Sequence, residues 1–256
     1  MTLPDTLILS IIEGFTEFLP ISSTGHLILT SKLLQIPSSE FLKSFEIIIQ
    51  LGAILSVVFL YHKTLIKNFT LNKKLLISFI PTAIIGLAVY PFVKGFLLDN
   101  STTTLLSLFL GGIVLIILEK IHKEKETNIK NLKNISYTQA FFLGLFQSLA
   151  IIPGVSRSAA TIIGGLFLGL KRKVAVEYSF LLAIPTMFAA TGLDIIKTQL
   201  KFTPEELIFL LIGFIFSFIT ALISIKFLLS FIKNHNFVFF GVYRIILAIS
   251  LYFILR

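Results

Sequence analysis

Apolar residues run in six long blocks, at about 44–61, 75–93, 103–119, 175–196, 206–229 and 237–255. Each is near the ~20 residues that a helix needs to cross the hydrocarbon of a bilayer, and together they predict six transmembrane helices. The segments 6–34 and 137–170 break the pattern. Each carries a Pro and a Ser/Thr/Gly cluster midway, which leaves two short apolar arms. Such arms predict re-entrant helical hairpins, because broken backbone at membrane depth persists only where it lines a cavity.

The order is hairpin, three spans, hairpin, three spans. This is the pattern of an all-α polytopic membrane protein, one membrane domain built from repeats at about 1–133 and 134–256. Sliding the chain against itself by 133 positions puts Pro20 on Pro153, Phe45 on Tyr178 and Gly52 over Pro185. Three spans is an odd number, so the second repeat is expected to lie inverted relative to the first, as in many transporters.

Composition agrees with a membrane protein. The 256 residues are 55% hydrophobic and only 14% charged, and mean hydropathy is +0.95; soluble domains carry about a quarter charged residues. With no Cys, disulfides, thiolate catalysis and thiolate metal sites are excluded. Met1–Asp5 lacks the positive region of a cleavable signal, so the first apolar run is expected to remain in the mature protein. The net charge of +9 is distributed as a topology signal, and nucleic acid is not an expected partner. Loops 62–74, 120–136, 171–173 and 226–236 hold fourteen basic residues, against six (Lys32, Lys43, Lys94, Lys197, Lys201 and Arg256) on the opposite face. Positive-inside bias places the fourteen in the cytoplasm and both termini outside. The first hairpin then enters from outside and the second from the cytoplasm, with their tips meeting near the midplane.

The candidate chemistry lies at those tips, in Glu13-Gly-Phe-Thr-Glu17-Phe-Leu-Pro20-Ile-Ser-Ser-Thr-Gly-His26 and Pro153-Gly-Val-Ser-Arg-Ser-Ala-Ala-Thr161. Ionisable groups at membrane depth are costly and mark function. Glu13 and Glu17, spaced i, i+4, share a helix face. Two carboxylates that close suit a hard divalent cation, Mg²⁺ or Ca²⁺. Pro20 ends that helix, and Ser22, Ser23 and Thr24 are candidate caps for a helix running from about His26, a start that favours anions. His26, one turn on, is a candidate acid/base or phosphoryl acceptor. Arg157 stays charged and can grip phosphate in a bidentate manner, with Ser156 beside it and Thr161 at i+4. Gln147 precedes its break much as Glu13 precedes Pro20, one residue closer. Glu46 and Gln50, an i, i+4 pair near the site, read with Arg244, Glu177 and Asp194 as packing or helix-end residues, and Arg244 needs a partner or a snorkelling route.

These motifs closely resemble the bacterial undecaprenyl-diphosphatase family, which is linked to bacitracin resistance. The resemblance extends to Phe45-Glu-Ile-x-Ile-Gln50-Leu-Gly52-Ala-Ile-Leu, Phe180-Leu-Leu-Ala-Ile-Pro185 and Tyr243-Arg-Ile. Ala159 stands where such proteins usually have Gly. The resemblance implies a multi-pass enzyme of the bacterial plasma membrane. Such an enzyme hydrolyses the C55 lipid undecaprenyl diphosphate to the monophosphate, with an extracytoplasmic site and a divalent-cation requirement. Carried onto this chain, its functional residues are Glu13, Glu17, Ser22, Ser23, His26, Ser156, Arg157 and Thr161. Glu13 and Glu17 then hold the metal or orient the catalytic groups, Arg157, Ser156, Ser22 and Thr161 hold phosphate, and Ser23, His26 or water attacks. A second copy of the chain stays open as a partner. The rival from another class is a transporter or lipid flippase using the same site. A lipid phosphatase of the acid-phosphatase type has similar Ser-x-Gly-His and Ser-Arg motifs. It also needs a second His paired with Asp, whereas His62, His122 and His235 all sit in basic loops.

Overall fold

The structure is a computed structural model and describes residues 1–92, 101–198 and 202–254. Lys94, Lys201 and Arg256, and the side chains of Asp194 and Lys197, lie outside the described residues. Among the described residues there are ten α-helices and no strand: α1 Leu3–Thr16, α2 Ser23–Leu33, α3 Glu40–Lys67, α4 Phe69–Phe92, α5 Ser101–Ile121, α6 Tyr137–Ser148, α7 Arg157–Phe167, α8 Arg172–Thr198, α9 Pro204–Phe231 and α10 Val238–Ile254. Five of them, α3, α4, α5, α8 and α9, are long and apolar enough to cross a membrane. At 28 residues, α3 and α9 rise about 42 Å, more than the ~30 Å hydrocarbon layer. Helix α10 is described over 17 residues, fewer than the span expected from the sequence. The chain is thus an all-helical, polytopic membrane protein.

Local signals set the helix starts. Thr2 and Asp5 form a capping box at α1, and Ser136 with Gln139 does so at α6. The first helix stops earlier than its proline suggests. Helix α1 ends at Thr16, Glu17 is its C-cap, and Pro20 lies in the turn that follows. Helix α2 likewise begins at Ser23, three residues before His26.

The two broken segments have matching local structure. Ser22 (φ 71°) caps α2 and Ser156 (φ 72°) caps α7, each accepting from the backbone N–H three residues on. Both helices have 11 residues. The offset that carries Ser22 onto Ser156 carries Glu13 onto Gln147 in register, whereas sliding on the prolines leaves them one residue apart.

Packing exchanges the two halves. Helix α1 lies on α9 of the second half, and α6 lies on α4 of the first. Gly14 and Gly144 sit at these crossings, where a Cβ would run into the Ser217 and Ser78 carbonyls. The Ser224 hydroxyl donates to the Phe15 carbonyl (2.6 Å), and Thr82 donates to the Gly144 carbonyl (3.0 Å). In lipid, where association gains little from the hydrophobic effect, close small-residue packing and such hydrogen bonds hold helices together. The main core joins both halves. In it Phe18, next in sequence to Glu17, packs edge-on against Phe180, with centroids 5.2 Å apart.

Candidate active site

The α1–α2 and α6–α7 breaks meet in the interior. Ser158, in the first turn of α7, donates to the Phe18 carbonyl (2.8 Å) and fastens one tip to the other. Between them lies a polar cavity of about 140 Å³. It is lined by Glu17, Ser22, Ser23 and Thr24 from one tip, by Ala150, Pro153, Gly154, Ser156 and Arg157 from the other, and by Gln50 and Met187.

Glu17 organises this cavity. One oxygen accepts from the Ser23 hydroxyl (2.7 Å); the other accepts from Arg157 Nη2 (3.1 Å) and Nε (3.3 Å). Arg157 Nη1 donates to the Ser179 carbonyl (2.8 Å). The pair is nearly sealed, with side-chain exposures of 9% for Arg157 and 5% for Glu17. Three of the five guanidinium N–H groups are therefore engaged, leaving two for a ligand in the cavity that Arg157 lines.

The remaining expected site residues are placed differently. Thr161 is fully buried and donates to the Arg157 carbonyl (2.9 Å), so it supports α7 from behind and does not face the cavity. His26 lies one turn past the serines but contacts neither Ser23 nor Glu17 by hydrogen bond. Its Nδ1 sits 2.8 Å from the Ser22 carbonyl and its Nε2 2.7 Å from the Tyr243 hydroxyl. The carbonyl can only accept, so Nδ1 carries a proton; in the neutral ring Tyr243 then donates to Nε2. The two rings stack with an interplanar angle of 4°. Glu13, one helical turn before Glu17, is fully buried, and neither of its oxygens has a hydrogen-bond partner among the described residues. Its electrostatic neighbours are Glu17, Glu46 and Arg157. In register with it, Gln147 donates to Thr82 (3.1 Å) and Thr186 (2.8 Å).

Tyr243 and Arg244 take part in the assembly, which the sequence reading did not anticipate. Arg244 neither snorkels nor pairs with a carboxylate; it is fully buried on backbone carbonyls of both tips. Its signal in the sequence was its position, a guanidinium in the middle of an apolar run.

A completely buried, unpartnered carboxylate beside a second one fits a hard cation. Among the described residues no third His, Cys, Asp or Glu joins them to form a three-ligand cluster. A cation there would complete its shell with water and ligand oxygens, as Mg²⁺ commonly does.

Fold and site define a polytopic membrane protein that buries an acid–hydroxyl–arginine cluster between two broken helical segments. The chain matches the Bacitracin resistance protein BacA family over residues 6–250, and it belongs to that family. Similar proteins named undecaprenyl-diphosphatase include one from Aquifex aeolicus, 52% identical over 249 residues (97% of each chain), and one from Persephonella marina, 52% identical over 256 residues (100% of each). Another, from Campylobacter jejuni serotype O:2, is 51% identical over 249 residues, covering 97% of this chain and 92% of the relative.

Proposed function

We propose that this chain is an undecaprenyl-diphosphate phosphatase, releasing phosphate from the C55 lipid diphosphate and returning the monophosphate as a carrier for cell-wall synthesis. The observation that carries this reading is Glu17, which is bonded to a hydroxyl and to a guanidinium at once in a buried polar cavity. Relatives that share almost the full length of the chain bear the name of that activity.

In this reading the terminal phosphoryl occupies the cavity against the two free Arg157 donors and the N–H groups that open α2 and α7. The long prenyl chain lies outside, along exposed apolar residues such as Leu149 and Ile152 on the turn before Pro153. Ser23 Oγ attacks the terminal phosphorus and its proton passes to Glu17. The bridging P–O bond breaks and the lipid monophosphate leaves. Water then cleaves the Ser23 phosphoester, and the serine recovers its proton. His26 acts by holding the Ser22 turn. A divalent cation, held by Glu13 and Glu17, would neutralise phosphate charge.

The proposal includes six spans and two re-entrant hairpins in inverted repeats of about 1–133 and 134–256. Both termini and the cavity are open to the extracytoplasmic side. The matching serine caps and the exchanged packing of α1 and α6 support the repeat, and loop charge supports the orientation. Phosphate release from a C55 or C15 prenyl diphosphate by purified protein tests the proposal. Lipid movement in liposomes without phosphate release would move the assignment to a flippase.

A further inference from the structure

We infer that Arg244 is a positioning residue for the hydrolysis proposed above, a buried clamp that sets the donor geometry of both tips at once; the inference rests on that reading of the site. Its guanidinium makes five hydrogen bonds, all to backbone carbonyls. Nη1 donates to Pro20 (3.2 Å) and Val155 (3.1 Å), Nη2 to Gly154 (2.9 Å) and Ser107 (3.1 Å), and Nε to Leu108 (3.2 Å). That exhausts the donors of an arginine. Gly111 on α5 makes the room, since a Cβ there would collide with the guanidinium.

The carbonyls it takes explain why it matters. Ser22 and Ser156 both hold a positive φ, a strained conformation for a non-glycine residue that persists only where its surroundings hold it. Arg244 grips the carbonyl two residues before Ser22 and the two carbonyls immediately before Ser156. One side chain thus pins the approach to each strained cap. Peptides here are trans, so drawing the Val155 carbonyl toward Arg244 points the Ser156 N–H in the opposite direction within the peptide plane. Ser156 lines the cavity, and among the described residues nothing accepts from its N–H. Such a fixed, unspent backbone donor is what stabilises developing negative charge on a transferring phosphoryl.

The guanidinium also carries a charge with no carboxylate on it. A buried ion is held by dipoles only when all its donors are used, so a shorter cation cannot replace it. A lysine has three donors on one nitrogen and cannot span carbonyls on both tips.

The test is Arg244→Lys and Arg244→Ala, assayed with farnesyl diphosphate in detergent, with rates expressed per monodisperse, folded molecule. Positioning predicts that Arg244→Lys loses kcat on the order of 10²-fold, the cost of a missing oxyanion donor, with KM little changed. It predicts that added guanidinium, but not urea or sodium chloride, restores turnover to Arg244→Ala. A purely structural role lowers the folded fraction and leaves the rate per folded molecule at the wild-type value. Wild-type turnover in Arg244→Lys overturns the inference, as does a folded Arg244→Ala that guanidinium leaves inactive. If Arg244→Ala does not fold, the lysine variant decides. Failure of the wild-type protein to release phosphate is a different result, and removes the hydrolysis itself.

Discussion

Arg157 on α7 places two guanidinium nitrogens on a single oxygen of Glu17, 140 residues earlier in the chain, and leaves the other oxygen to Ser23. The salt bridge thereby joins the two broken segments and orients the hydroxyl between them. Burial makes the pair interdependent, because either charge alone is stranded away from water.

Removing one partner is therefore expected to cost both activity and stability. Arg157→Ala strands Glu17 at about 3–5 kcal/mol and should abolish turnover. Glu17→Gln should do the same to turnover with a smaller loss of stability, since the amide oxygen can still accept from Arg157 although the charge is gone. Because the residues act as a unit, the double variant should be no slower than the worse single variant, as a double-mutant cycle of kcat/KM and urea midpoints will show.

Ser23 and His26 are separated by their partners. Ser23→Ala should leave only residual turnover, and Tyr243→Phe only a mild defect. The latter loses one neutral hydrogen bond to His26, worth about 1 kcal/mol or roughly five-fold in rate. Full activity in Ser23→Ala, with phosphate release intact, would reassign the attack to water or His26.

Glu13 sets a trade-off between stability and function. Glu13→Gln removes a buried carboxylate whose oxygens have no partner. In EDTA the variant should melt above wild type by a few degrees, given that 1 kcal/mol is worth about 2–4 °C in a chain of this size. Added Mg²⁺ or Ca²⁺ should raise the melting temperature of the wild type and not of the variant. Phosphate release should be cation-dependent in the wild type and severely reduced in the variant. A variant that keeps the full cation response removes Glu13 from the metal proposal.

The helices and the two motifs were legible in sequence because they depend on local signals: apolar runs, Pro20 and Pro153 breaks, and capping serines. The pairing of Glu17 with Arg157 was also within reach, since the two motifs together hold one arginine and two carboxylates. The rest depended on distant chain segments. His26 follows the serines by one helical turn, but a residue 217 positions away, Tyr243, takes its Nε2. Thr161 shares a helix face with Arg157 by count, yet its hydroxyl turns back to the i−4 carbonyl, a common outcome for Thr in a helix. Arg244 read as a packing residue because its partners are carbonyls, which every residue has and no sequence pattern marks. The positive φ of Ser22 and Ser156 was equally silent, since glycine is the usual sign of that conformation.

The central claim is that the two tips form one phosphate-releasing site, with Glu17 bridging them. The most direct measurement is phosphate release from C15 and C55 prenyl diphosphates by the detergent-purified protein, with Mg²⁺, with EDTA, and with Glu17→Ala alongside. The account predicts cation-dependent release by the wild type and none by the folded variant. Equal release by the two proteins would contradict it, and no release by either in active-lipid conditions would remove the hydrolysis itself.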